Sequence, residues 1–248
     1  MKDCLKFASL SDVGLVRENN EDCYGSYVSD EGWPQIFVLA DGMGGHLNGE
    51  LASRTAVDYC LERLRSDLTQ NNQPQRIEAL LSDTVQKANI KVYLKSLQDK
   101  ANTGMGTTLT LAVFYSDSVY LAHIGDSRCY ILRSGVLEQL TRDHTVTREM
   151  MEAGLISEKE EMTHPQRHVL TQALGSPEYL KPEIIHLDHK RHDRYLLCSD
   201  GLHGFVDDFQ IGETLRMSTD ADACAKKLVD LAIEVGAPDN VTVMVIFT

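Results

Sequence analysis

With 248 residues, 42% of them hydrophobic and 25% charged, the chain has the composition of a soluble globular protein long enough to bury one large core. A net charge of −13, from 24 basic against 37 acidic residues, argues against nucleic acid or an anionic membrane surface as the main partner. No run approaches the roughly 20 apolar residues of a membrane span, residues 1–13 lack the apolar core of a signal peptide, and the six cysteines (Cys4, Cys23, Cys60, Cys129, Cys198, Cys224) form no C-x-x-C pair. These features describe a cytosolic chain without membrane insertion, whose thiols are reduced and mostly serve as small buried hydrophobes.

Ile36-Phe37-Val38-Leu39-Ala40 is a strand-like run that ends at Asp41. Residues 50–68 place Val57, Leu61, Leu64 and Leu68 at helical spacing, and residues 76–98 do the same with Ile77, Leu81, Val85, Ala88 and Val92. A loop over 69–75, with Asn71, Asn72 and Pro74, separates these two amphipathic helices. From Thr107 the period changes to two, with Leu109, Leu111, Val113 and Tyr115 alternating against Thr108, Thr110, Ala112 and Phe114. Further strands follow over 118–124, 128–133 and 136–140, joined by turns at Asp117-Ser118 and Ser134-Gly135, which makes the sheet antiparallel. Another helix spans 221–235 before a last strand over 241–247. Helices segregated from runs of strands give an α+β protein, and no repeat or linker divides it, so residues 1–248 form one domain. Residues 143–161 break the order with short helical patches, few apolar anchors and many charges; they form either a mobile insert near the site or a peripheral packing helix.

Four aspartates lie where an apolar run meets a turn. Asp41 follows 36–40, Asp126 follows 119–125, Asp200 follows 195–199, and Asp239 precedes 241–247. If those strand ends share one edge, the carboxylates converge, and several anions in one cleft cannot all stay ionised without compensation. Hard divalent cations take oxygen ligands and in pairs clamp a phosphoryl group, so the pattern points to a metal-dependent phosphohydrolase. Asp41-Gly42-Met43-Gly44-Gly45-His46 adds glycines that let main chain approach a ligand closely, although Leu47 breaks a G-x-G-x-x-G reading and no Gly-Lys-Ser/Thr follows. Upstream, residues 11–22 taken alone read as a solvated turn, but in the company of Asp41 the Arg17 guanidinium fork, matched to phosphate oxygens, would hold the substrate while Asp22 orients metal-bound waters. His186, His189 and His192 recur every three residues, but in a stretch that follows Pro182 and leads into a strand they would not share a side, and a solvated loop is the simpler reading. Trp33, beside Pro34, belongs to a hairpin loop and serves packing.

Arg17 with Asn20-Glu21-Asp22, Asp41-Gly42-Met43-Gly44-Gly45-His46, Gly106-Thr107-Thr108, Gly125-Asp126-Ser127-Arg128, Ala173-Leu174-Gly175, Ser199-Asp200-Gly201 and Asp239-Asn240 resemble, in order and approximate spacing, the bacterial protein phosphatase 2C enzymes. These are metal-dependent serine/threonine phosphatases, and the resemblance runs from about Ser11 to the C-terminus. It implies a four-layer α-β-β-α sandwich, two antiparallel sheets packed face to face with helices outside each. It also implies a dinuclear Mn²⁺ or Mg²⁺ centre in which Asp41 bridges both ions, Asp200 and Asp239 complete the first, and the Gly42 carbonyl with Asp22, and Glu21 beside it, serve the second, the acidic side chains largely through water. Asp126 would hold a weaker third ion, and Arg17 the substrate phosphate. The nucleophile is then a water between two cations, without a phosphoenzyme, in keeping with the absence of a C-x5-R signature. Met43 stands where eukaryotic relatives have a histidine acid, leaving a metal-bound water, His46, His144 or His203 for that work. Phosphoproteins and a cognate serine/threonine kinase are the implied partners, and a monomer is the default. A pseudophosphatase binding module is disfavoured by intact Asp41, Asp200 and Asp239, whereas a small-molecule phosphatase on the same fold stays open.

Overall fold

The computed structural model describes residues 5–30, 32–44, 47–69 and 72–248; Cys4, Gly45, His46 and Asn71, on which expectations fell, lie outside it. Strands β1 (Lys6–Asp12), β2 (Asp22–Val28) and β3 (Gln35–Met43) lead into the long helices α1 (Leu47–Asp67) and α2 (Pro74–Ser96). After a 3₁₀ turn at Lys100–Asn102 come β4 (Gly106–Thr107), β5 (Leu109–Tyr115), β6 (Ser118–Ile124), β7 (Arg128–Arg133) and β8 (Val136–Gln139). Two short helices, α3 (Val146–Glu152) and α4 (Glu158–Thr163), precede β9 (Glu183–Asp188) and β10 (Arg194–Cys198). The chain closes with α5 (Asp200–His203), α6 (Asp208–Met217), α7 (Ala221–Glu234) and β11 (Val241–Phe247).

The pairings are antiparallel, in one sheet of order β1-β11-β10-β7-β8 and another of order β2-β3-β5-β6-β9, with β4 paired to the end of β3. Alternation along the strands builds the layers. In β3, Ile36, Val38 and Ala40 pack with Leu64, Leu81 and Val85 of α1 and α2, whereas Phe37 and Leu39 join Phe114, Tyr195, Leu197, Met244 and Ile246 between the sheets. In β11, Val241, Val243 and Val245 turn outward onto Leu215, Leu228 and Ala232 of α6 and α7. Phe37, Phe114 and Tyr195 meet edge to face, with centroids 5.7 and 5.1 Å apart, and each such buried ring contributes about 2 kcal/mol or more by leaving water. The α-β-β-α sandwich is therefore two helix-covered sheets closed on a shared apolar middle.

Several local expectations need correction. Pro74 sits in the first turn of α2 rather than in the loop before it, where its missing N–H costs nothing. Residues 11–22, read as a turn, contain the end of β1 and the start of β2, and α6 was not foreseen. His186 lies in β9, not in a solvated loop; its ring stacks on Tyr120 at 4.3 Å and faces Glu78 at 3.3 Å. Within 143–161, Asp143, His144, Thr145 and Thr147 are buried, and Arg128 grips Asp143 through bonds of 2.7 to 3.1 Å. Cys60, Cys129 and Cys198 are buried thiols, and burial pushes that of Cys60 up to about 12. Among the described residues, no helix is long and apolar enough to cross a membrane.

Candidate metal centre

Strand parity carries Asp41 into the cleft. Phe37 and Leu39 fill the space between the sheets, and Asp41, two residues further on, continues that face beyond the apolar filling. Asp22 is its direct cross-strand partner, so both carboxylates stand on one side, a like-charge pairing that destabilises a sheet unless compensated. Thr107 and Thr108, where β4 passes into β5, hold the Asp41 backbone: its N–H donates to Thr108 Oγ1 at 2.8 Å, and its carbonyl accepts from Thr108 N–H and Thr107 Oγ1, each at 2.9 Å. Gly42 is glycine for want of space, since a Cβ there would lie 2.2 Å from the Gly49 carbonyl oxygen in α1.

The other sheet delivers Asp200, the first residue of α5 after β10, and Asp239, just before β11. Asp239 accepts from the Asn240 N–H at 2.9 Å and from Arg17 Nη2 at 2.7 Å. Asn240, quoted above without a role, fastens the Arg17 loop: its side chain donates to the carbonyls of Val13 and Asn19 at 2.9 and 3.0 Å and accepts from Glu21 N–H at 2.8 Å. Ser199 donates to Asp22 Oδ2 at 2.8 Å, linking the two sheets at the cleft floor. Asp126 follows β6, and the His203 Nε2–H donates to its carbonyl at 2.9 Å. Thr107, Thr108, Ser199 and Asn240 all occur in the blocks that carried the resemblance, but nothing in their types revealed these bonds.

Electrostatics mark the cluster as incomplete. Burial, with the charges of Asp200 and Asp239, pushes Asp22 up to about 7 against the lowering effect of bonds from Thr242 and Ser199. Burial, then Asp22, Asp200, Asp126 and Asp239, holds Asp41 well above its ordinary range, and burial with Asp200 and Asp143 does the same to Asp126. Burial also pushes Asp200 upward, but His168 and then His203 beside it outweigh this and leave the carboxyl low. Asp22 Oδ1 is buried without a hydrogen-bond partner. An orphaned carboxylate oxygen among acids that resist ionisation is a donor set that fits hard divalent cations.

Of the histidines considered as acids, His203 is depressed to about 4 by burial and then by Arg128, and its Nε2 is engaged at Asp126. His144, lowered by burial, accepts the Gly125 N–H at 3.1 Å and stacks on His123. Both brace the Gly125-Asp126 turn. His168, which sequence reasoning passed over, places Nδ1 3.6 Å from Asp200 Oδ2.

Residues 16–231 match the family model for protein phosphatase 2C. The chain belongs to the protein phosphatase 2C family. This family member is 39% identical over 241 residues to the serine/threonine protein phosphatase PstP of Mycobacterium tuberculosis, an alignment covering 97% of this chain and 44% of PstP. Its fold is similar to that of the S. agalactiae serine/threonine phosphatase, with a TM-score of 0.92 and 30% identity over 98% of this chain and 99% of that one. It is also similar to the PstP catalytic domain in complex with two manganese ions, with a TM-score of 0.81 and 35% identity over 98% and 99% of the two chains. The sandwich seen here is thus the fold of 2C-type phosphatases.

Proposed function

We propose that this chain hydrolyses phosphoserine and phosphothreonine esters in proteins, with divalent cations held by Asp22, Asp41, the Gly42 carbonyl, Asp126, Asp200 and Asp239, and reverses a partner serine/threonine kinase. The observation that carries the reading is the convergence of Asp22, Asp41 and Asp200 on one cleft, with the unpartnered Asp22 oxygen inside it and Arg17 at its rim. The names of its relatives, and the two manganese ions in the PstP catalytic domain, support the same conclusion. Divalent cations bound there would neutralise the carboxylates, polarise the phosphoryl group and make water acidic enough to attack phosphorus near neutral pH.

The chain's own residues do the rest. Asp41, fixed by Thr107 and Thr108, keeps its carboxylate between Asp22 and Asp200, so the donors are set before substrate arrives. Arg17, half-exposed and paired with Asp239, presents further N–H groups to phosphate oxygens, and Asn240 fixes the loop that carries it. Residues 1–248 act as one catalytic domain, and the 143–161 insert shapes substrate choice beside the cleft.

The test is phosphate release from a phosphothreonine peptide with Mn²⁺, with EDTA, and with Asp41→Asn. Metal-dependent release that falls at least a hundredfold in the variant is expected. Folded protein that binds Mn²⁺ yet releases no phosphate would overturn the proposal, and turnover of small phosphate esters alone would replace its substrate class.

A further inference from the structure

The loop that carries Arg17 is fastened along its backbone yet turns apolar side chains to solvent. Gly14, at φ 78°, packs against the turn before β11, where a Cβ would lie 2.3 Å from the Asp239 carbonyl oxygen and 2.7 Å from that of Ala237. Its N–H donates to Asp12 Oδ1 at 2.8 Å, the Leu15 N–H donates to the Ala237 carbonyl at 2.9 Å, and Asn240 holds the carbonyls of Val13 and Asn19. Between these ties Leu15 and Val16 are still 64% and 67% exposed, directly before Arg17. We propose that Leu15 and Val16 form an apolar ledge for a peptide substrate, favouring phosphoproteins with an apolar side chain within two residues of the phosphoserine or phosphothreonine. This rests on the reading of the chain as a protein phosphatase with Arg17 on the phosphate; what it adds is a sequence preference and the residues that set it.

Single exposed apolar side chains are ordinary on protein surfaces. Here two stand in succession beside the guanidinium that takes the phosphate, and covalent geometry does the rest. Consecutive Cα atoms are about 3.8 Å apart, so Leu15 and Val16 lie within about 4 to 7 Å of Arg17, the same reach that separates a phosphoresidue from its own neighbours. A phosphoester seated on Arg17 therefore brings those neighbours over the ledge. Because the loop is already fixed, covering it costs little ordering, and the water released counts toward affinity. A methylene in an enclosed pocket is worth about tenfold or more in discrimination, and an open ledge takes less, about fivefold for Leu against Ala. Exposed Glu18 on the other side of Arg17, with the acidic cleft behind it, repels an acidic residue in the same place. The competing view is that Arg17 alone reads the substrate and its apolar neighbours touch nothing.

Steady-state kinetics with Mn²⁺ decide between the two, on phosphothreonine peptides of otherwise alanine flanks that carry Ala, Leu or Glu in turn at each of the two positions on either side. At one or more of these positions wild type should turn over the Leu peptide about fivefold better than the Ala peptide in kcat/KM, with the gain in KM and the Glu peptide worst. The double variant Leu15→Ala, Val16→Lys should bring the Leu-to-Ala ratio to within twofold and move Glu from last to first. Each ratio is taken within one protein, so incomplete folding of the variant does not alter it, and a reversed order cannot come from lost structure. Equal turnover of the three peptides at every position by wild type, or an unchanged Leu-to-Ala ratio in the double variant, would overturn the proposal and leave the phosphatase reading standing. Wild type that hydrolyses none of the peptides would instead overturn that reading, and this proposal with it.

Discussion

Asparagine at position 22 should make the metal-free protein more stable and the metal-loaded enzyme worse. The Asp22 carboxyl rises from 3.8 to about 7 in the fold. At about 1.4 kcal/mol per pH unit, this difference of about three units means that ionising Asp22 costs the native state about 4 kcal/mol relative to the unfolded chain. The native state holds its proton more tightly, so between pH 4 and 7 it binds more protons than the unfolded state and loses stability as pH rises, the loss being complete above about pH 7. Asparagine removes that loss. Its oxygen still accepts from Ser199, and its amide takes the place of the unpartnered Oδ1, donating toward neighbouring carboxylates. Allowing about 1 kcal/mol for imperfect amide bonding leaves a gain of about 3 kcal/mol at pH 8 in EDTA, a rise of roughly 6–12 °C in Tm for a chain of this size. Thermal melts of both proteins in EDTA at pH 5, 6, 7 and 8 should show a gap that widens to pH 7 and then levels. Saturating Mn²⁺ should narrow or reverse it, because the wild type gains more from binding. A variant less stable than wild type in EDTA at pH 8, or a gap independent of pH, would refute the account of the cleft as a store of unfavourable charge.

Arg17→Ala should raise KM for a phosphothreonine peptide about tenfold with little change in kcat, while costing less than about 1 kcal/mol of stability, since its pair with Asp239 is solvent-exposed. Unchanged kcat/KM would remove Arg17 from the phosphate site. Gly42→Ala puts a methyl group 2.2 Å from the Gly49 carbonyl oxygen and 2.6 Å from that of Glu21, so about 2–3 kcal/mol should be lost and Mn²⁺ affinity with it. An unaltered Tm would show that the close approach is not tight.

Interior strands were legible because they are buried on both faces: 36–40, 109–115 and 241–247 are continuous or alternating apolar runs whatever lies beside them. Of the edge strands only β8 was read; β1, β2 and β9 were not. β1, Lys-Phe-Ala-Ser-Leu-Ser-Asp, and β9, Glu-Ile-Ile-His-Leu-Asp, bury few side chains fully and are strands because β11 and β6 pair with them. Asp41, Asp126, Asp200 and Asp239 could be picked out because a carboxylate directly after an apolar run conflicts with its surroundings. Asp22 drew notice only through its company with Arg17 and Asp41, since its burial comes from Asp41 and Ser199, which its local sequence does not show. His168 had no local signal at all; only the return of the insert brings it to Asp200.

β11 lies between β1 and β10. During synthesis, β1 leaves the ribosome long before its neighbour, which is encoded some 230 residues later, across the register Lys6↔Phe247 to Asp12↔Val241. The same late stretch brings Asp239 and the Asn240 clamp on the Arg17 loop. Pairing of such distant segments is intrinsically slow. A nascent chain halted before residue 239 would therefore lack both a finished sheet and a finished cleft, so catalysis waits for residues 239–247 to be made and paired.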